Sequence, residues 1–146
     1  MIKDMNTAIN FLLVEDDEVD VKNVQRAFKK NNINNPLFIA GNGEEALKKL
    51  RGNGDSAIIP PPQVILLDLN MPKMGGLEFL QEIRKDPRLK SLSVFILTTS
   101  DEEGDKVAAY NFNIAGYILK PIEFGQFIDT IKTLDAYWTL CEFPNG

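Results

Sequence analysis

The chain has 146 residues, 44% hydrophobic and 25% charged, with a formal net charge of −5 at pH 7 and no histidine. That length suits one domain with a continuous core, and the acidic balance argues against a nucleic-acid surface, where basic residues must neutralise phosphates. The lack of histidine excludes histidine zinc ligands, a histidine general base and a phosphohistidine within this chain.

Residues 1–10, Asp4 and Asn6 among them, lack the apolar core of a signal peptide, so 1–8 are expected as a tail and 9–146 as the domain. Phe11-Leu12-Leu13-Val14 reads as a strand running into Glu15-Asp16-Asp17. Val21, Val24 and Phe28 then fall on one face of a helix that ends near Asn31-Asn32. Leu37-Phe38-Ile39-Ala40 is the second strand, and Gly41-Asn42-Gly43 turns into a helix over about 44–50. The stretch from Gly52 to Pro62 has loop composition and exceeds the usual connection of about 2–6 residues, so a surface insertion is expected. Val64-Ile65-Leu66-Leu67 is an unbroken apolar run, the pattern of a strand buried on both faces, and Asp68-Leu69-Asn70-Met71-Pro72 follows it.

Gly75-Gly76 opens a third helix, with Leu77, Leu80 and Ile83 inward and Asp86-Pro87 as its stop. The strand Val94-Phe95-Ile96-Leu97 runs into Thr98-Thr99-Ser100. Ser100 and Glu103 predict a capping box for a fourth helix, with Val107 and Tyr110 on one face. Gly116-Tyr117-Ile118-Leu119 is the fifth strand, ending at Lys120-Pro121. Phe124, Phe127, Ile128, Ile131 and Leu134 mark the last helix, which extends over about 135–146 through Tyr137, Trp138, Leu140 and Phe143. The single cysteine, Cys141, fits a reducing compartment. No run of about 18 apolar residues offers a membrane span. A cytoplasmic location, away from membrane and nucleic acid, is expected.

Alternating strands and helices predict an α/β, doubly wound domain, whose ligand site lies at the carboxyl ends of its strands. Those ends carry the acids at 15–17, Asp68, the hydroxyls of Thr98 and Thr99, and Lys120. Several carboxylates in one pocket repel one another unless a cation compensates. An acidic pocket with one cation at its rim suits a divalent metal and a phosphoryl group.

By motif and by order, the chain resembles the receiver domains of two-component response regulators, including the single-domain, chemotaxis-type regulators. The resemblance rests on the acidic cluster, Asp68 with Asn70-Met71-Pro72, Thr98 and Lys120-Pro121, and extends from about Phe11 to about Leu134. It implies a flavodoxin-like, five-stranded parallel sheet of order 2-1-3-4-5 with five helices. It further implies Mg2+ as cofactor, held by Asp16, Asp68 and the backbone carbonyl of Asn70, with Glu15 in an outer, water-linked position. Within Glu15-Asp16-Asp17-Glu18 adjacent registers compete; the family pattern selects Glu15 and Asp16, leaving Asp17 to lead into the helix. Asp68 would be the phosphoacceptor and Lys120 the cation beside it, aimed inward by Pro121. Thr98 would be the switch hydroxyl and Tyr117 its coupled aromatic, although a strand threonine and a half-buried strand tyrosine are also ordinary readings. Met71, Pro72, Gly75 and Gly76 would hold the Asn70 carbonyl in place.

With no histidine in the chain, a phosphohistidine donor must belong to a partner, a sensor histidine kinase. The aromatic carboxyl-terminal segment and the insertion resemble regulators that partner phytochrome-type kinases. The apolar cluster after Leu134 must either fold back to close the edge of its own core or cover a partner; a homodimer through the last helix is the expectation, with Phe127, Tyr137, Trp138 and Phe143 as candidate contacts. Two enzyme-like readings compete. A phosphatase of the haloacid dehalogenase type needs a second aspartate where Asn70 stands, and a flavin-binding module needs a phosphate loop where acids 15–18 stand. A receiver fold kept only as a docking scaffold would not need every site position filled. The expected protein is therefore not an enzyme on other substrates; it promotes only its own phosphorylation and dephosphorylation.

Overall fold

The computed structural model describes residues 9–52, 62–120 and 123–142. The strands are β1 (Phe11–Val14), β2 (Leu37–Ala40), β3 (Val64–Leu67), β4 (Ser93–Thr98) and β5 (Gly116–Leu119). They alternate with α1 (Glu18–Lys30), α2 (Gly43–Arg51), α3 (Gly76–Lys85), α4 (Glu103–Asn111) and α5 (Phe124–Leu140). The strands form one parallel sheet in the order β2-β1-β3-β4-β5, as the resemblance implied. The tail 1–8, Pro121, Phe143 and all but the ends of the 52–62 insertion lie outside the described residues.

Side chains alternate across the pleat, so each central strand feeds two cores. Leu12, Val14, Ile65, Leu67, Val94 and Ile96 point to one face and meet Ala46, Leu47, Phe79, Leu80, Ile83 and Ala109 from α2, α3 and α4. Phe11, Leu13, Val64, Leu66, Phe95 and Leu97 point to the other and meet Val24, Ala27, Phe28, Phe127, Ile131, Leu134 and Trp138 from α1 and α5. This is why β1 and β3 read as unbroken apolar runs: every side chain in them is buried.

Register brings the site together. Val14 stands opposite both Ala40 and Leu67, Leu67 opposite Ile96, and Thr98 opposite Leu119. The next backbone amides continue the ladder: Glu15 N–H donates to Ala40 O at 2.9 Å, Asp68 N–H to Val14 O at 3.0 Å and Lys120 N–H to Thr98 O at 2.8 Å. Glu15, Asp68, Thr98 and Lys120 therefore leave the sheet at a single edge.

Two expectations are corrected here. Helix α4 does not start in a capping box: Glu102 is its N-cap residue and makes no side-chain cap bond. Ser100 Oγ instead donates to Asp105 Oδ2 at 2.6 Å, and Val107 and Tyr110 share a face that points to solvent. At the other end, α5 runs unbroken to Leu140, and its tail closes the core of its own chain. Trp138 is 1% exposed, with its ring centroid 4.7 Å from that of Phe11 and 6.2 Å from those of Phe28 and Phe95. Phe127 is buried as well. Neither has area left for a second copy, because both are already spent against β1, β4 and α1. Of the described candidates for a dimer contact, Tyr137 remains exposed, with Leu140 beside it.

Candidate functional site

The acidic run at the end of β1 divides its work by local geometry. Asp17 takes an extended backbone and caps α1, its Oδ1 accepting from Val19 N at 2.8 Å and Asp20 N at 3.3 Å. That use engages Asp17 at the helix start, while oxygens of Glu15 and Asp16 cluster with one of Asp68. Glu15 is buried, whereas Asp16 is exposed at the rim. Both Glu15 oxygens have direct donors, Oε1 from Lys120 Nζ at 2.6 Å and Oε2 from Asp17 N at 3.1 Å. Glu15 is thus buried and bonded directly to the lysine, while Asp16 stands exposed beside it.

Asp68 lies 7% exposed beyond β3, its Oδ2 3.6 Å from Lys120 Nζ. The segment after it is held tightly against α3. Gly76 N–H donates to Leu69 O at 3.0 Å, and a Cβ on Gly76 would lie 2.5 Å from Asp68 O and 2.7 Å from Leu69 Cα. Only glycine allows that approach. Met71 and Met74 pack on the α2–α4 side of the core, and Met74 O accepts from Gly43 N at 3.1 Å. Pro72 and Asn70 are exposed, with Asn70 following directly on the buried Asp68-Leu69 pair. Lys73 reaches φ 65°, the left-handed region, so this loop carries some backbone strain.

Lys120 Nζ is the cation set against these acids: it donates to Glu15 Oε1 and to Asp20 Oδ2 at 2.8 Å, and forms an ion pair with Asp68. Burial pulls the lysine pKa down, but hydrogen bonds to Asp20 and Glu15 and the charges of Glu15 and Asp68 outweigh it, leaving the pKa above the ordinary value. Burial pushes Glu15 up to about 7, against the opposing pull of Lys120, and the charge of Asp68 adds to the rise. The reading of the sequence passed over Asp20. Its signal was present: it stands one helical turn beyond Asp16, in the first turn of α1, where a carboxylate is favoured by the helix dipole.

Thr98 is fully buried at the end of β4, and its Oγ1 accepts from Ser100 N at 3.3 Å. Tyr117, half-buried against the α2–α4 core, donates its hydroxyl to Ser100 O at 2.8 Å. The threonine and the tyrosine thus grip the same loop between β4 and α4, the one at its amide and the other at its carbonyl.

One ligand oxygen from each of Glu15, Asp16 and Asp68 falls within 4.8 Å of the others. Hard oxygen donors at that spacing match a cation of the Mg2+, Mn2+ or Ca2+ kind. The charge balance agrees, since Lys120 is already shared by Glu15, Asp20 and Asp68 while Asp16 lies in the same acidic cluster, and burial pushes the Glu15 pKa up. The residues present fit a divalent metal.

The model of the response regulator receiver domain family matches residues 11–132. Response regulator Rcp1 of Synechocystis sp. is 36% identical over 127 residues, covering 87% of this chain and 86% of its own. Among solved structures, the phosphorylated cyanobacterial phytochrome response regulator RcpA aligns with a TM-score of 0.87 at 33% identity, covering 94% of this chain and 99% of its own. The Mn2+-bound form of Rcp1 aligns with a TM-score of 0.85 at 34% identity over the same shares.

Proposed function

The chain belongs to the response regulator receiver family, and on that premise we propose that Asp68 is its phosphoacceptor, taking a phosphoryl group from the phosphohistidine of a partner sensor histidine kinase. The observation that carries this reading is the convergence of Glu15, Asp16, Asp68 and Lys120 at one sheet edge, with Lys120 Nζ 3.6 Å from Asp68 Oδ2.

Asp16, Asp68 and the Asn70 carbonyl would hold Mg2+, with Glu15 lining the same space. When bound, the ion offsets the mutual repulsion of the carboxylates and the charge of the incoming phosphoryl group. The rest falls to the chain. An Asp68 oxygen forms a bond to phosphorus as the bond from phosphorus to the donor's imidazole nitrogen breaks, so the phosphoryl group passes to Asp68 with no proton removed from it. Positioning and charge stabilisation are what such a transfer requires, and the Lys120 ammonium is the cation that would bond a phosphoryl oxygen. The Thr98 hydroxyl, released from Ser100 N, would bond another and draw the loop before α4 inward. Tyr117 holds the same loop and would follow it. The chemistry is confined to the protein's own phosphorylation and dephosphorylation.

The proposed setting is the cytoplasm, with the whole described chain acting as one receiver domain in which α5 takes in residues 135–140 of the carboxyl-terminal extension. No described helix is long and apolar enough to cross a membrane. The likeness to the cyanobacterial phytochrome response regulator RcpA supports a phytochrome-type kinase as the donor. A symmetric homodimer through the end of α5 is proposed on the exposure of Tyr137 (52%) and Leu140 (84%), because apolar area of that kind at a helix end is covered on association. Labelling from a phosphorylated histidine kinase, with Mg2+, should reach the wild type and not Asp68→Asn; equal labelling of both would overturn the reading. Light scattering at tens of micromolar should give a dimer mass that Tyr137→Ala with Leu140→Ala reduces to the monomer.

A further inference from the structure

Lys120 is held from two sides. Its Nζ makes hydrogen bonds to Glu15 Oε1 at 2.6 Å and to Asp20 Oδ2 at 2.8 Å, but stands 3.6 Å from Asp68 Oδ2, an ion pair without a short bond. The lysine is thus displaced towards α1, away from the oxygen beside which a phosphoryl group would sit. Helix α1 does not need the Asp20 carboxylate for its own start, since Asp17 Oδ1 already accepts from Val19 N and Asp20 N. The Asp20 side chain is turned on the lysine instead. The pair is not a loose surface contact: the two side chains are 32% and 12% exposed. A cleft of about 80 Å3, bordered by Glu15, Asp20, Asn23, Lys120 and Phe124, opens beside the pair on the side of α1 and α5.

We propose that Asp20 is a positioning residue that holds Lys120 back from Asp68 in the resting protein, so that the lysine must leave the Asp20 ion pair to reach a phosphoryl group. The inference rests on the phosphoacceptor reading and deepens it. Asp20 touches neither donor nor phosphoryl group and acts only through the lysine. Its effect is to disfavour the phosphorylated state by the worth of one partly buried ion pair, and so to weaken a switch that would otherwise close too readily.

Beryllofluoride, which mounts on a phosphoacceptor carboxylate with Mg2+ as a phosphoryl analogue, reads this directly. Its dissociation constant would be measured by fluorine NMR for wild type, Asp20→Asn, Asp20→Glu, Lys120→Met and the double variant Asp20→Asn with Lys120→Met. Asp20→Asn is expected to tighten binding about two- to fivefold, the upper part of the range for a partly exposed ion pair. Asp20→Glu, which keeps the charge, should stay closer to wild type. In the Lys120→Met background the Asp20→Asn change should shrink to less than about twofold, since the coupling runs through the lysine. An equal gain with and without Lys120 would mark a general field effect and overturn the proposal, as would no gain in either background. Absence of any adduct in the wild type would instead overturn the phosphoacceptor reading beneath it.

Discussion

Asp16 and Asp17 are the same residue type side by side, and their separate uses depend on where a helix begins. Sequence offered several registers for the acidic pair, because a cap and a ligand call for the same carboxylate. The backbone decides: Asp17 is extended, its oxygen facing the first amides of α1, which leaves Asp16 at the rim. Ser100 shows the opposite outcome. The Ser100-to-Glu103 spacing matched a capping box, yet Thr98 Oγ1 takes the Ser100 amide, Tyr117 takes its carbonyl and Asp105 takes its hydroxyl, so the residue belongs to the loop rather than the helix. Gly76 is the residue where local geometry is least forgiving. Its added Cβ would meet backbone atoms, which cannot swing away as a side chain does. Gly76→Ala should therefore destabilise the fold by roughly 1–3 kcal/mol. Gly75→Ala, whose Cβ would meet Leu69 O at an ordinary 3.4 Å with φ at −76°, should cost well under half as much. Urea denaturation of the two variants separates these outcomes.

Among the elements, the strands were the most legible. Burial on both faces forces apolar residues at successive positions in β1 and β3, and these two together with the half-buried edge strands β2 and β5 have the bounds that their sequence runs suggested. Helix α4 was the least legible, because it gives the core little more than Ala109 while the face shared by Val107 and Tyr110 is turned to solvent, so it has no apolar stripe marking its inner side. The carboxyl-terminal aromatics were visible as a cluster, but their destination depends on a contact between residues far apart in sequence, Phe11 with Trp138. Trp138→Ala should cost about 3–5 kcal/mol, as expected for a large aromatic emptied from a closed core. Leu140→Ala should change stability by no more than about 0.5 kcal/mol. Chemical denaturation followed by far-UV circular dichroism tests both.

Helices α2 and α3 are linked by charge. Asp86 Oδ2 accepts from Arg51 Nε at 3.3 Å, and its Oδ1 accepts from Arg88 N at 2.9 Å. The Arg88 amide first, with Arg51 hydrogen-bonding as well, holds the Asp86 carboxyl below its ordinary pKa in spite of burial. A carboxyl with a depressed folded pKa adds stability above its unfolded pKa, and that stability is lost as pH falls through the folded value. The difference in stability between wild type and Asp86→Asn should thus be full at pH 7, begin to shrink near pH 4 and vanish at lower pH. A gap that stays constant across that range would remove the electrostatic account of this link.

For the molecule as a whole, the parallel sheet converts four strand ends into one site, which is why so much of the function was readable from motifs. The missing part was the partner of the lysine. Asp20 lies on a helix rather than at a strand end, and only folding brings it to Lys120. The same concentration of acids ties stability to metal. A cation that binds the folded site and not the unfolded chain stabilises by mass action, about 2.7 kcal/mol at one hundred times the dissociation constant. Mg2+ at that excess should raise the melting temperature by roughly 5–10 °C. Asp16→Asn with Asp68→Asn should abolish the rise, which scanning calorimetry with Mg2+ and with EDTA would register.

The central claim is that a phosphoryl group is carried on the Asp68 side chain, and an acyl phosphate can be trapped where it forms. After incubation with acetyl phosphate and Mg2+, borohydride reduces an aspartyl phosphate to homoserine, and peptide mass spectrometry locates the changed residue. The account predicts homoserine at position 68, dependent on Mg2+ and strongly reduced in Lys120→Met. Homoserine at Asp16 or at another carboxylate, or a wild-type protein in which position 68 stays aspartate, would contradict it.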